Sequence, residues 1–253
     1  LFLADVVAAM EKPFKAYQHV QKVLKTTPKL AEAHVSLALL DAGRAQTAPE
    51  KDKAGLLAKA TAGFERAMTM DPAVPGARAG LAQIALMAGK TEEAERLLKE
   101  AVDKHSDSQA ALVLAELLGM TQRSAEAVTM LRKIAQMDDE RFVLALVKAL
   151  AVSGNGDEAL KEAQIGAKRF PGSSQMGLLV ADLLRQAGKI PLAIAALEPH
   201  KTGADATRIV AMQAQLYLQN NQATEAIAAL EPLVVANPRS KELHLLLIVA
   251  YGL

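Results

Sequence analysis

Ala60-Thr-Ala-Gly-Phe64-Glu-Arg-Ala67-Met-Thr-Met-Asp-Pro72 sets the frame for the whole chain. An Ala is followed four residues on by a large apolar residue, three later by a small one, and five later by Pro. Steps of four and three return to one face of a helix. A Pro just beyond such a stretch stops it. The frame recurs at Ala16…Val20…Val23…Pro28, Ala159…Ala163…Gly166…Pro171 and Ala226…Leu230…Leu233…Pro238. It recurs without the Pro at Ala94…Leu98…Ala101…Ser106, Ala127…Leu131…Ile134…Asp139 and Ala193…Leu197…His200…Asp205. The leading alanines lie 44, 34, 33, 32, 34 and 33 residues apart.

A second marker keeps the same period. It is a large-then-small pair ahead of each frame: Leu3-Ala4, Leu37-Ala38, Leu81-Ala82, Leu114-Ala115, Leu146-Val147, Val180-Ala181, Gln213-Ala214 and Leu247-Ile248. Each unit therefore reads as two helices joined by a short polar turn, such as Ala88-Gly-Lys-Thr91, Ser153-Gly-Asn-Gly156 or Ala187-Gly-Lys189. Gly in such a turn accepts the left-handed backbone that ends a helix. Glu92-Glu93 and Asp157-Glu158 then suit the positive end of the second helix. The result is an all-α solenoid of about seven hairpins plus one extra helix.

The units fall near 1–30, 31–74, 75–107, 108–139, 140–173, 174–206 and 207–240, with a partial one at 241–253. The second unit carries ten extra residues, read as a polar loop insertion over 44–54 around Pro49. Leu1 to Met10 fits the first helix of the first unit better than a secretory leader, because no basic segment precedes it. Leu243 to Leu253 is too apolar all round to cap an array. The expectation is that the natural chain continues past it, or that a partner or a second copy covers it. Leu197-Glu-Pro199 and Leu230-Glu-Pro232 occupy matching places late in two second helices. The first Pro is expected to end its helix, because His200-Lys-Thr-Gly203 follows. The second is expected to kink its helix, because Leu233-Val-Val-Ala236 continues.

Composition narrows the function classes. The 253 residues are 51% hydrophobic but only 3% aromatic, with no Trp. Ala, Leu and Val at that density favour close-packed helices over sheet. The charge is +1, from 29 basic and 28 acidic residues interleaved throughout, so no stripe offers itself to a phosphate backbone, and no nucleic-acid partner is expected. The absence of Cys removes disulfides, thiolate metal sites and Cys nucleophiles. No run spans a bilayer, so direct membrane insertion is not expected. Gly89-Lys90-Thr91 lacks the earlier Gly of a phosphate loop, where Ile84 stands, and Gly154-Asn155-Gly156 lacks a third Gly. His19, His34, His105, His200 and His244 fall in different units without metal-ligand spacing. No catalytic residue, metal site or cofactor is expected, and the chain is not read as an enzyme.

The period, the Ala-x3-Phe step and the terminal Pro resemble the tetratricopeptide repeat (TPR) across essentially the whole chain. Departures are the missing Trp, Ala in place of the Gly of the Leu-Gly pair, and an aromatic surviving only as Tyr217 and Tyr251. The resemblance implies a right-handed superhelix whose first helices line a concave, partner-binding groove. Carried over by register, that groove comprises Gln83, Leu86 and Met87; Leu112, Glu116 and Met120; Leu144, Lys148 and Val152; Leu178, Asp182 and Arg185; and Arg208, Gln215 and Gln219. The surface is apolar and amide-rich with single charges of alternating sign. It lacks the Asn of TPR proteins that clamp heat-shock C-terminal tails.

The function implied is a non-catalytic scaffold or adaptor with a protein or peptide in that groove, and with self-association through the C-terminal helix also open. The Ala/Leu-rich repeats with Leu-Glu-Pro are similar to TPR segments of Gram-negative exopolysaccharide-secretion proteins. That similarity implies a bacterial envelope assembly in the periplasm or at the outer membrane. A cytoplasmic regulator or assembly chaperone of a secretion or pilus system, and a TPR module of a larger enzyme, stay open beside it.

Overall fold

The computed structural model describes residues 13–134 and 138–253. The chain divides into two compact units, 1–135 and 136–253. All regular structure among the described residues is helical.

The first unit holds α1 (Pro13–Thr26), α2 (Ala31–Thr47), α3 (Glu50–Met70), α4 (Ala77–Met87), α5 (Thr91–His105), α6 (Ser108–Met120) and α7 (Ser124–Ile134). The second holds α8 (Glu140–Val152), α9 (Gly156–Arg169), α10 (Ser174–Gln186), α11 (Ile190–Leu197), a 3-10 turn over Glu198–His200, α12 (Ala206–Gln219), α13 (Ala223–Ala236) and α14 (Lys241–Tyr251). Each helix packs on the next within its unit. First helices also touch one another: α2 on α4 and α4 on α6 in the first unit, α10 on α12 and α12 on α14 in the second. That double neighbour relation is the solenoid. The helix expected over Leu1–Met10 lies outside the described residues.

The frame residues are the core. Ala60, Phe64 and Ala67 are fully buried, as are Ala94 and Leu98, Ala159 and Ala163, Ala193 and Leu197, and Ala226 and Leu230. Their small members let neighbouring helices close up. The Phe64 ring lies where a side chain at Gly80 would stand, so hairpins two and three interlock through that absence. The turn inside each hairpin repeats too. Gly89, Gly154 and Gly188 are left-handed at φ 73°, 84° and 71°, and Gln122 and Asn221 adopt the same conformation at φ 60° and 57°. The last two carry a side chain there, at a cost of about 1 kcal/mol.

Polar struts join successive first helices. Asp107 is buried and caps α6, accepting from the backbone N–H of Gln109 at 2.9 Å and of Ala110 at 3.1 Å. Its other oxygen accepts from Gly76 N–H, 2.8 Å away at the start of α4. In the second unit Ser173 caps α10 through Met176 N–H at 3.0 Å and donates its hydroxyl proton to Glu140 in the first turn of α8. One residue thus closes a helix end and fixes the spacing to the previous repeat.

The loop expected over 44–54 is not a loop. The ten extra residues lengthen both helices of the hairpin, and only Ala48 and Pro49 stand between α2 and α3. Ala45 remains fully buried beyond the point where other first helices stop. Glu50 and Asp52 sit in the first turn of α3, where the helix dipole favours them, just after a Pro that needs no N–H partner. The two Leu-Glu-Pro sites behave as expected in their helix ends: α11 stops at Leu197, whereas α13 runs through Pro232 to Ala236.

Candidate functional site

In the first unit the expected groove residues are all at or near the surface. Met87 is 42% exposed and Met120 is 78% exposed, with Glu116 exposed and Gln83, Leu86 and Leu112 half-buried. The Gln83 side-chain oxygen is buried without a hydrogen-bond partner. α4 and α6 touch, so the helices that carry these residues are neighbours. Methionine's flexible thioether suits a contact surface.

In the second unit the register splits. Lys148, Val152, Arg208, Gln215 and Gln219 are exposed, and Asp182 and Arg185 half-buried. Leu144 and Leu178 are buried, at 6% and 7% exposure, so neither presents a free apolar side chain. Both stand four residues before an outward position (Lys148 and Asp182). Four residues turn a helix by about 400°, so their direction is offset by about 40°. That offset is enough to carry them into the packing between helices. Leu144 lines a shallow hollow of about 370 Å³ beside Arg141 and Ser173.

Five of the expected residues converge. Asp182, Arg185, Arg208, Gln215 and Gln219 line one cleft of about 710 Å³ between α10, α12 and the start of α14. Its walls also include Asp205, Met212, Leu216, Asn237, Glu242 and Leu243, which the register did not supply. Asp205 and Asn237 come from turns, and Glu242 and Leu243 from the first turn of the next repeat. Only the position of helix ends could have found them. The cleft has an apolar floor and an amide rim. Arg185 Nη2 donates to Asp182 at 2.7 Å, and Gln186 donates to the other oxygen at 2.7 Å, so that pair is satisfied internally. Arg208 has no ion-pair partner among the described residues, which leaves its guanidinium available to a ligand.

The elongated hairpin of the first unit makes a different hollow, of about 580 Å³. Arg44, Lys51, Asp52 and Lys59 line it. Arg44 also stacks over the Tyr17 ring at 5.4 Å and pairs with Asp41 at 3.3 Å. Burial pushes the Asp41 carboxyl above its usual range, against the pull of Arg44 and Lys59. Two of the histidines hold structural posts: His34 Nε2 meets Pro28 O at 2.9 Å, and the His200 ring lies on Gly177. Among the described residues no group of three His, Asp or Glu is placed to hold a metal ion, and no helix is long and apolar enough to cross a membrane.

A family model described as tetratricopeptide repeat matches residues 53–117, and another with the same description matches 144–204 and 211–251. Together they span more than half of the chain, which belongs to the TPR family. TPR arrays are generally non-catalytic modules, and this one is a protein–protein interaction scaffold. No curated protein sequence matches the chain. Among solved structures it is similar to pilF of Pseudomonas aeruginosa, with TM-score 0.63 and 18% identity over 86% of this chain and 96% of that one. It is similar to PilW, described as a widely conserved type IV pilus biogenesis factor, with TM-score 0.63 and 18% identity over 83% and 98%. The APC/C hetero-tetramer Cut9–Hcn1 is similar with TM-score 0.64 and 16% identity. There the match covers 94% of this chain, which spans 46% of that one. Identities this low show a shared fold.

Proposed function

We propose that the chain is a non-catalytic scaffold that seats a protein segment in the cleft of its second unit. The observation that carries this reading is the convergence of Asp182, Arg185, Arg208, Gln215 and Gln219 on one cleft of about 710 Å³. Gln215, Gln219 and Asn237 can pair with a segment's backbone amides. Arg208 can take a carboxylate, and Met212, Leu216 and Leu243 can take an apolar side chain. Met87 and Met120 of the first unit give a second contact surface of the same groove type. The setting that fits is a bacterial envelope or polysaccharide-secretion assembly in the periplasm or at the outer membrane, a reading supported by the Ala/Leu-rich, Leu-Glu-Pro-bearing repeats. The likeness to pilF and PilW favours a second setting, an assembly factor of a pilus or secretion system.

The test is site-specific photo-crosslinking in the native cell. A crosslinker at Gln215 is expected to capture a discrete protein, and Arg208→Glu with Gln219→Ala is expected to abolish capture. Capture that survives both changes moves the site out of the cleft. Glu116→Lys and Lys148→Glu then test the remaining groove positions. A captured pilus component selects the second setting, and a polysaccharide-export component the first.

A further inference from the structure

Five of the described first helices follow a polar side chain, and four of them use it as a cap. Asp107, Asp139, Ser173 and Ser240 each accept from a backbone N–H in the opening turn of α6, α8, α10 and α14. Asp205 stands at the same place before α12, and its carboxylate caps nothing. The backbone gives the reason. The four capping residues are extended, with ψ between 102° and 116°, which aims the side chain at those N–H groups. Asp205 has ψ 3°. It follows Gly203, left-handed at φ 103°, in the connection that the early end of α11 creates. Two other uses of a carboxylate recur in this fold, and Asp205 makes neither. It does not pair with Arg208 three residues on, although Asp182 and Arg185 pair at that spacing at 2.7 Å. Nor does it reach the preceding first helix, as Asp107 does through Gly76 N–H. The half-buried carboxylate is left without a hydrogen-bond or ion-pair partner among the described residues.

Asp205 also stands where two depressions meet, lining both the cleft of about 710 Å³ and the hollow of about 370 Å³. The other charges of the hollow are engaged, Arg141 with Asp139 at 2.6 Å and Glu140 with Ser173. Hollow and cleft together run from α8 past α10 and α12 to α14. Three steps of about 8–10 Å between neighbouring helices make a path of roughly 27 Å. That is the reach of about eight extended residues. We infer that Asp205 is the specificity residue of this path, taking the Lys or Arg side chain of an extended partner segment that runs from the cleft into the hollow. The inference rests on the cleft being the binding site. A peptide fits the path better than a free cation does, because amides flank the carboxylate on both sides. Gln175 lines the hollow and Gln215 the cleft, and each can pair with a peptide backbone. Arg208, one turn along, takes an acidic residue of the same segment, so the segment carries a basic and an acidic residue close together.

The probe is a phage-displayed library of random nonapeptides selected on the full chain. Enriched peptides are expected to share a Lys or Arg at one position. A synthetic copy of one is expected to bind Asp205→Asn about threefold to fivefold more weakly, the scale of a partly exposed ion pair. Norleucine in place of its basic residue is expected to give the same loss on the unaltered chain and no further loss on Asp205→Asn. Selection on Asp205→Lys is expected to enrich Asp or Glu at that position instead. The Asp205 carboxylate makes no bond in the fold, so Asp205→Asn is expected to keep its Tm. A lowered Tm means that the carboxylate already serves the fold and overturns the inference. Enriched peptides without a shared basic residue, or with an affinity indifferent to Asp205→Asn, also overturn it. The cleft reading survives those results as long as Arg208→Glu with Gln219→Ala abolishes binding. Peptides indifferent to that double variant, or no enriched peptide at all, overturn both.

Discussion

Ala-Ile-Ala-Ala-Leu-Glu-Pro occurs at 193–199 and again at 226–232, and the two copies end differently. In the first, α11 stops at Leu197 and Glu198–His200 tighten into a 3-10 turn, with Glu198 N–H donating to Ala195 O. In the second, α13 continues four residues past Pro232. Each Pro removes the same N–H. The residues after the Pro, and the surface they pack on, decide the outcome. His200 turns its ring onto the backbone of Gly177 in α10. Leu233 instead joins the apolar cluster around Ala214 and Leu230, and the helix is held in place. One repeat earlier the sizes at the equivalent positions are exchanged: Gly166 stands in place of His200, against Val143 in place of Gly177. Bulk has moved from one helix to the other.

That exchange gives the largest expected effect. Gly177→Val drives a side chain into the His200 ring and is expected to cost about 1–3 kcal/mol in urea unfolding, the range for overpacking. Adding His200→Gly recreates the Val143–Gly166 pairing and should recover most of the loss. Strict additivity of the two changes would break the account.

The two glutamates differ next. Glu198 accepts from Gln213 Nε2 at 2.6 Å, and Gln213 is wholly buried, with its oxygen unpartnered. Glu198→Ala leaves that amide with only Ile194 O at 3.3 Å and should cost about 1–2 kcal/mol. Lys201, and then Gln213, hold the Glu198 carboxyl below its usual range despite some burial. A lowered acid contributes stability above its unfolded value near 4.5, and that contribution is lost as pH falls through the folded value. The gap between wild type and Glu198→Ala should therefore narrow in acid. A gap that stays constant from pH 7 to pH 3 would place the effect elsewhere.

Pro→Ala in the two copies should then diverge. Pro232→Ala restores a donor for Ala228 O inside a continuing helix and is expected to add about 1 kcal/mol. Pro199→Ala sits where the helix has already ended and should change unfolding little. Equal gains in the two variants would mean that the Pro, not its surroundings, ends α11.

Much of this was legible in the sequence, for a physical reason. The hairpins follow from two markers of one period, and close packing forces the same small and large residues to recur. The helical reading of 44–54 was missed because Lys, Glu and Pro49 look like a loop. The available signal was Ala38, Ala42 and Ala45, whose spacing of four and three continues the buried stripe. Register placed Gln215 and Gln219 in the cleft. It also offered Leu144 and Leu178, whose burial depends on how closely adjacent helices approach. Asp205, Asn237 and Glu242 were missed because a cleft borrows side chains from turns, where the repeat imposes no pattern.

The smallest effect lies at the second Glu. Glu231 accepts from the Tyr251 hydroxyl at 2.6 Å, the counterpart of the Glu198–Gln213 bond but at the exposed edge of α14. The neutral phenol donates to the carboxylate, and the same negative charge opposes phenolate, so Tyr251 titrates above its usual value of 10. For a raised acid, the contribution is present below the unfolded value and lost as pH climbs through the folded one. Tyr251→Phe should therefore leave unfolding at neutral pH almost unchanged, because water replaces the partner at an exposed bond. Glu231→Gln should bring the Tyr251 titration, followed by the ring carbon shift in NMR, back toward 10. A titration indifferent to Glu231 would mean that the identical heptapeptides do not share one role, with their Glu reaching for the next first helix in only one repeat.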